Sequence, residues 1–459
     1  MTAPPPDTSA STPRRLYHAW RTKGWLRPFR NASLLAASGG AQGVLQLGAI
    51  ALAAQALGAA GFGTLVLIDT ARRFIGGLLR LRAKHVVIRY GARALRADAE
   101  PAAFGRVLSF SVWLDILSAL IGLTAAVLAM GAAVRWLNMP AEITEAARLY
   151  SVCVVFVALS TSAEALLRLF DRFDLVASQN LVTPVIQLAG AALGLVLGAG
   201  LPFFLAVWFL AVAASRGTLI AAALWELHRR GRLGALSLHP RGLRAPEPGT
   251  WRFTLGTNAL DSLTKLRDNG TVLAVGALLD PASAGLVQVA RKLGLLPGKP
   301  VSKILTPALL PEIARQTADA KHRKRRKTVR RSTAIAGTLG LSLFAVLALF
   351  GQTLLARAFG PEFAAAYPVM LLFGLGGVLR MLTFTMGPVL ISAGRVRIML
   401  IARIAMTAVQ IGLLFVLIPH LGVVGTAMAD VIAVLLAAAI LVPAARRELR
   451  APKTETPPP

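Results

Sequence analysis

The sequence predicts an all-α polytopic membrane protein, with about 12 transmembrane helices in two six-helix halves around a central cavity. Three observations predict it: the length of the apolar runs, the sign of the charges between them, and an internal repeat. Of 459 residues, 55% are hydrophobic and 15% charged, with a mean hydropathy of +0.63. A soluble domain carries more charge and does not keep long stretches free of it. Runs such as SLLAASGGAQGVLQLGAIALAAQALG (33–58) and LSFSVWLDILSALIGLTAAVLAMG (108–131) can cross a hydrocarbon core of roughly 30 Å as helices. They lack the period-2 alternation of a barrel strand, so helices must satisfy their backbone in lipid.

Apolar runs bounded by charge, Pro or Gly place the spans at 33–57, 62–83, 107–131, 146–168, 174–198, 202–226, 252–279, 282–312, 333–357, 363–392, 397–419 and 422–444. The connections alternate in charge. LGAAG, NMPAEITEAA, GAGLP, LLDPASAG, FGPEFAAAY and PHLG are neutral or acidic. The segments between them, from RLRAKHVVIRYGARALRADAEPAAFGR to AARRELRAPK, all carry Arg, and all but RLFDRFD are net basic. The positive-inside rule then sets both termini on the cytoplasmic side of the membrane. One missed or invented span would break the alternation.

The formal net charge of +29 has the same source. Cytoplasmic loops of membrane proteins concentrate Lys and Arg, so no nucleic-acid partner is implied, even by KHRKRRKTVRR (321–331). That run lies between two spans, and membrane lipids are its expected contact. Cys153 is the single cysteine and lies in an apolar run, which excludes a disulfide framework and a thiol metal site. Residues 1–30 read as a disordered, basic, cytoplasmic N-terminus, and 448–459 as a cytoplasmic tail. The basic lead is too long for a signal peptide, so the first run reads as a retained span.

Two distant places repeat at nearly one offset. LGAAGFG (57–63) matches LDPASAG (279–285), pairing Gly63 with Gly285. DRFDLVASQNLVTPVIQLAG (171–190) matches GRVRIMLIARIAMTAVQIGL (394–413), pairing Arg172 with Arg395 and Gln187 with Gln410. Halves at 31–227 and 251–447, joined by a basic linker at 228–250, account for both. An even span number per half makes the halves parallel, an arrangement that suits rocking of one half against the other.

Charges inside spans are costly and should face a bundle interior or a wet cavity. On span 2, Asp69, Arg72, Arg73, Gly76 and Arg80 fall on one helical face. Gln288, Arg291, Lys292, Leu295 and Lys299 have the same spacing on span 8, and span 7 adds Asp261, Lys265, Arg267 and Asp268. Arg72, Arg73, Arg291, Lys292, Lys265 and Arg267 are therefore candidate substrate-binding cations, since Arg matches phosphate oxygens through its planar donor fork. Asp69, Asp261 and Asp268 are candidates for ion coupling or for simple salt bridges, such as Asp69 with Arg73 and Asp261 with Lys265. Asp115, Glu164, Arg216, Arg380, Arg403 and Asp430 are membrane-embedded as well, without a ranking. Pro297, Pro300, Pro307 and Pro311 should bend span 8, and Gly76-Gly77 should loosen span 2. No HExxH, P-loop or nucleophile-elbow motif is present, so neither an enzyme nor a metal or other cofactor is expected.

Four segments resemble the polysaccharide biosynthesis, or oligosaccharide flippase, family of the multidrug/oligosaccharidyl-lipid/polysaccharide exporter superfamily. They are ALAAQALGAAGFGTLVLID (51–69), RDNGTVLAVGALLDPASAGLVQVARKL (267–293), LLARAFGPEFAAAYPVMLLFGLG (354–376) and SAGRVRIML with LIPHLGVVGTAMADVIA (392–433). They follow the family's order over nearly the whole chain. LGAAGFG lacks the Pro and acidic residue of the family turn, and the Asp-Arg-Arg cluster of span 2 is not part of the common pattern. The resemblance implies an inner-membrane flippase that moves a polyprenyl-diphosphate-linked oligosaccharide by alternating access during surface polysaccharide biosynthesis. Its substrate would be a lipid-linked anionic glycan, and its expected partners a polysaccharide polymerase and glycosyltransferases of the pathway. Twelve spans also fit the drug exporters, whereas the lipid II flippase branch typically has fourteen. The alternatives are a cation-coupled small-molecule exporter of the same superfamily, or a membrane glycosyltransferase or ligase of the same pathway. A cationic cavity argues against the first, and short outer loops against the second.

Overall fold

The computed structural model describes residues 27–81, 83–96, 102–237, 239, 243–296, 309, 312–313, 315–316 and 322–450. Side chains at 27–32, 259–261, 322 and 450 lie outside that description, as do the expected kinks at Pro297, Pro300, Pro307 and Pro311.

The first helix, α1 (Arg27–Leu78), has 52 residues, far more than one crossing needs. The chain reverses inside it at Gly58, whose φ of 65° is open to glycine at little cost. α1 therefore holds spans 1 and 2. A short amphipathic helix follows, α2 (Lys84–Ala94), which buries Val86, Val87 and Tyr90 and leaves Arg89 and Arg93 outside. Then come α3 (Ala103–Trp136), α4 (Thr144–Ser151) running into α5 (Cys153–Leu169), α6 (Phe173–Val196) and α7 (Leu201–Arg229). The remaining helices are α8 (Thr250–Leu278), α9 (Pro281–Gly294), α10 (His322–Phe359), α11 (Tyr367–Thr383) with α12 (Met386–Ser392), α13 (Val396–Leu421) and α14 (Val423–Arg450).

Nine helices among the described residues are long and apolar enough to cross a membrane. α8 is long enough but carries Asp261, Lys265, Arg267 and Asp268 in one stretch, and α9 is described for 14 residues. With α1 crossing twice, twelve spans result. The turn into α9 shows why it starts where it does. Asp280 caps it by accepting the Ser283 N–H at 2.9 Å, and Pro281 occupies the first turn, where no N–H is needed. Leu128, Val196 and Leu349 project outward at 73%, 83% and 76% exposure, as side chains facing lipid rather than water do.

The order of neighbours recurs along the chain. Span 1 in α1 packs on α6, α6 on α7, α7 on α5, and α5 on α3. In the second set α8 packs on α13, α13 on α14, α14 on α11, and α11 on α10. Polar contacts recur at matching positions. Gln187 on α6 accepts from Gln46 Nε2 at 3.2 Å, and Gln410 on α13 donates to Thr271 Oγ1 of α8 at 3.3 Å. Arg172, before α6, pairs with Glu226 of α7, and Arg395, before α13, pairs with Glu448 of α14 at 3.0 Å. A hydrogen bond to Asp174 raises the Arg172 guanidinium above its ordinary pKa.

Both sets meet in one apolar core at the end of the bundle that carries the turns near Gly58, Asp280 and Gly360. Phe62 of α1 packs edge-on against Phe363, with ring centroids 6.0 Å apart. A Cβ on Gly63 would fall 1.7 Å from the Pro281 carbonyl oxygen, and one on Gly285 would lie 3.1 Å from the Gly63 Cα. The two glycines paired by the repeat thus touch each other, and glycine is required for that approach. The Ala59 N–H donates to Glu362 Oε2 at 2.8 Å, and Gln55 Nε2 to the Ala358 carbonyl at 2.8 Å. The bundle is closed at this end.

Candidate functional site

The charged face of span 2 is built around Asp69. Its Oδ1 accepts from Arg72 Nη2 at 2.7 Å and from the Tyr150 hydroxyl at 2.8 Å, and its Oδ2 pairs with Arg73 Nη2 at 3.0 Å. Arg72 is buried, with its guanidinium 5.4 Å from the centre of the Tyr150 ring. Arg73 keeps 43% of its side chain exposed. The two readings of this face, salt bridge and cavity wall, are divided between neighbouring arginines.

A second cluster has the same composition. Asp268 Oδ1 accepts from Arg291 Nη2 at 2.9 Å and from Arg267 Nη2 at 3.1 Å, and its backbone carbonyl takes Arg291 Nη1 at 2.5 Å. In each cluster one carboxylate stands between two guanidiniums. The carboxylate lowers the cost of holding charge in the bilayer, yet each cluster stays net positive. The Asp261 side chain lies outside the described residues, so its expected bridge to Lys265 does too.

Two cavities open beside these clusters. One, of about 550 Å³, lies among α1, α2, α5, α6 and α7, and its basic lining is Arg72, Arg73, Arg80, Lys84, Arg216 and Lys265. The other, of about 680 Å³, lies among α1, α8, α9 and α11, and its basic lining is Arg73, Lys265, Arg267, Arg291, Lys292 and Arg380. They share Gln46, Arg73 and Lys265, so they adjoin. Lys265 reaches the junction because α8 crosses α1 at Gly77, where an added Cβ would lie 3.7 Å from Lys265 Cγ. Gly76 in turn lets Val154 approach, so this glycine pair serves close packing, and α1 stays helical to Leu78. At the helical rise, Gln46 and Arg73 lie roughly 18 and 22 Å from the Gly58 turn, so the cavities sit away from the closed end.

All six candidate cations line these cavities. Sequence reasoning missed Lys84, which the amphipathic turn of α2 folds inward, and Gln46. It set Arg80 on the charged face of span 2 without counting it among the candidates, and left Arg216 and Arg380 unranked. The lining contains two acidic side chains, Glu164 and Asp268. Glu164 pairs with Lys84 at 3.3 Å and Arg168 at 2.6 Å. Arg380 pairs with the buried Asp430 at 2.5 Å, just behind the second cavity. Asp115 is buried away from both linings and accepts the Ser162 N–H at 2.7 Å, and Arg403 is exposed. Ten basic side chains against two acids make a wall that attracts anions and repels cations.

Comparison with known proteins bears on the fold and the family. A family model described as polysaccharide biosynthesis protein matches residues 98–368. The inner membrane protein YghQ of Escherichia coli (strain K12) is 27% identical over 352 residues, spanning 76% of this chain and 98% of that protein. An inward-facing multidrug resistance MATE transporter of the MOP superfamily superposes with a TM-score of 0.67 at 16% identity, covering 92% of this chain and 96% of its own. The lipid II flippase MurJ, in an inward closed conformation, gives a TM-score of 0.67 at 14% identity, covering 91% and 89%. An outward-facing MATE transporter gives 0.59 at 16% identity, covering 94% and 96%. At such identities the structural likeness establishes the fold.

Proposed function

We propose, from the premise that this chain belongs to the polysaccharide biosynthesis protein family, that it is an inner-membrane flippase for a polyprenyl-diphosphate-linked oligosaccharide. The observation that carries this reading is the pair of adjoining cavities with ten basic side chains and two acidic ones. A diphosphate offers several oxygens to guanidinium forks, and a cavity with low-dielectric walls strengthens the attraction. The polyprenyl tail stays in lipid while the head group enters at the junction of Gln46, Arg73 and Lys265.

In this reading the closed end faces outward, as the positive-inside rule assigns, and the cavities load from the cytoplasm. Separation of Gly63 from Pro281 and of Ala59 from Glu362 would open the outer end, and the two halves, about 31–227 and 251–447, would rock about the site. The protein acts here as a transporter rather than an enzyme. A cation exporter is disfavoured, because its substrate would meet the same positive wall.

Reconstitution tests the reading. Proteoliposomes with a polyprenyl-diphosphate disaccharide on one leaflet should show its head group reaching the other leaflet. Failure to flip that lipid, together with uptake of an organic cation, would overturn the assignment.

A further inference from the structure

The basic run that opens α10 has no part in the transport cycle above, yet it borders a second kind of site. A groove of about 730 Å³ runs along α10, walled on its other sides by α11, α12 and α14. One end is rimmed by Arg326, Arg330 and Arg446, and the other is lined by Gly337, Leu341 and Leu382. Among the described residues its lining holds no acidic side chain. The neighbouring Glu448 is turned to Arg395 at 3.0 Å, and Arg326 Nε donates to the Leu449 carbonyl at 2.8 Å, which fixes one side of the rim.

Length and polarity together define the occupant. From Arg326 to Leu341 the helix advances about 22 Å. That is somewhat more than one hydrocarbon leaflet of roughly 15 Å, enough to run from head-group level toward the bilayer centre. Three exposed arginines at the polar end, with apolar side chains beyond, match a phosphate followed by an acyl chain. The same arginines repel the ammonium of a zwitterionic head group.

We propose that this groove binds one anionic membrane phospholipid, with its phosphate held by Arg330 and Arg446 and one acyl chain laid along α10 as far as Leu341. Gly337 sets the width of the apolar end. A Cβ there would lie 2.7 Å from Leu382 Cδ2, so a larger side chain would displace Leu382 into the groove or fill it directly.

The test uses the full-length purified protein and native mass spectrometry, with phosphatidylglycerol or phosphatidylcholine supplied in turn. Phosphatidylglycerol should be retained in preference. Arg330→Gln/Arg446→Gln should lower that retention by roughly tenfold or more. Gly337→Leu should lower it with the rim charges intact. Arg323→Gln/Arg331→Gln, exposed on the same basic run but outside the groove, should leave it unchanged. Inorganic phosphate should not displace the lipid. Equal retention of the two lipids, an equal loss in the Arg323/Arg331 pair, or displacement by phosphate would overturn the proposal. Unfolding curves of each variant without added lipid identify loss by misfolding. If the Arg330/Arg446 pair misfolds, Gly337→Leu decides the outcome.

Discussion

Tyr150 donates its hydroxyl to Asp69 Oδ1 at 2.8 Å, the same oxygen that accepts Arg72 Nη2 at 2.7 Å. One carboxylate oxygen therefore fixes α4 to span 2 and holds a buried guanidinium under an aromatic ring. This junction belongs to stability. Asp69→Asn leaves Arg72 buried without its charge partner and should cost about 3–5 kcal/mol. Tyr150→Phe removes one hydrogen bond and should cost about 1 kcal/mol. Unfolding of the purified variants measures both, and the double variant should fall short of the sum because the groups share an oxygen.

Arg72 and Arg73 are adjacent but should separate in experiment. Arg72→Gln should lower the unfolding midpoint, because it removes the buried partner of Asp69 Oδ1 and leaves the carboxylate only the half-exposed Arg73 as a charge partner. Arg73→Gln should leave the midpoint close to wild type, since its side chain is 43% exposed, and should weaken head-group flipping instead. Comparing the two variants for melting and flipping checks the division of roles.

Gly63 governs closure of the turn-bearing end. In Gly63→Ala the new Cβ meets the Pro281 carbonyl oxygen, and the two backbones must part. A cysteine introduced at Ala284, a position 0% exposed in the closed form, should then react faster with a membrane-impermeant thiol reagent. The comparison belongs in a background with Cys153→Ser. Gly285→Ala should act in the same direction but less, because its nearest neighbour would lie at 3.0 Å.

Glu362 latches the same end across the bundle. Glu362→Ala leaves the Ala59 N–H without its acceptor at the start of span 2. The Ala284 cysteine should again become more reactive. Unchanged reactivity would show that apolar packing of Phe62 on Phe363 holds the end closed by itself.

Much of this was legible in the sequence for physical reasons. Apolar length and loop charge give twelve spans because lipid tolerates no unsatisfied backbone. The pairing of Gly63 with Gly285 came from pattern matching, and the fold places those two glycines in contact because backbones approach there too closely for any side chain. The pairing of Arg172 with Arg395 is likewise mirrored by their ties to Glu226 and Glu448. The spacing of Asp69, Arg72 and Arg73 showed a shared face but not which arginine is neutralised. That depends on Tyr150, which reaches Asp69 from α4 and leaves no local mark in the sequence. Lys84 was hidden for a similar reason. It reads as loop until α2 turns back and sets it beside Glu164.

The central claim is that the charge at the cavity junction moves the substrate head group. The most direct measurement is the initial rate of polyprenyl-diphosphate disaccharide flipping in proteoliposomes for Arg73→Gln/Lys265→Gln, with the exposed Arg403→Gln as control. The account predicts loss of most flipping in the junction variant, a near wild-type rate in the control, and equal unfolding midpoints in both. A wild-type rate in a well-folded junction variant would contradict it.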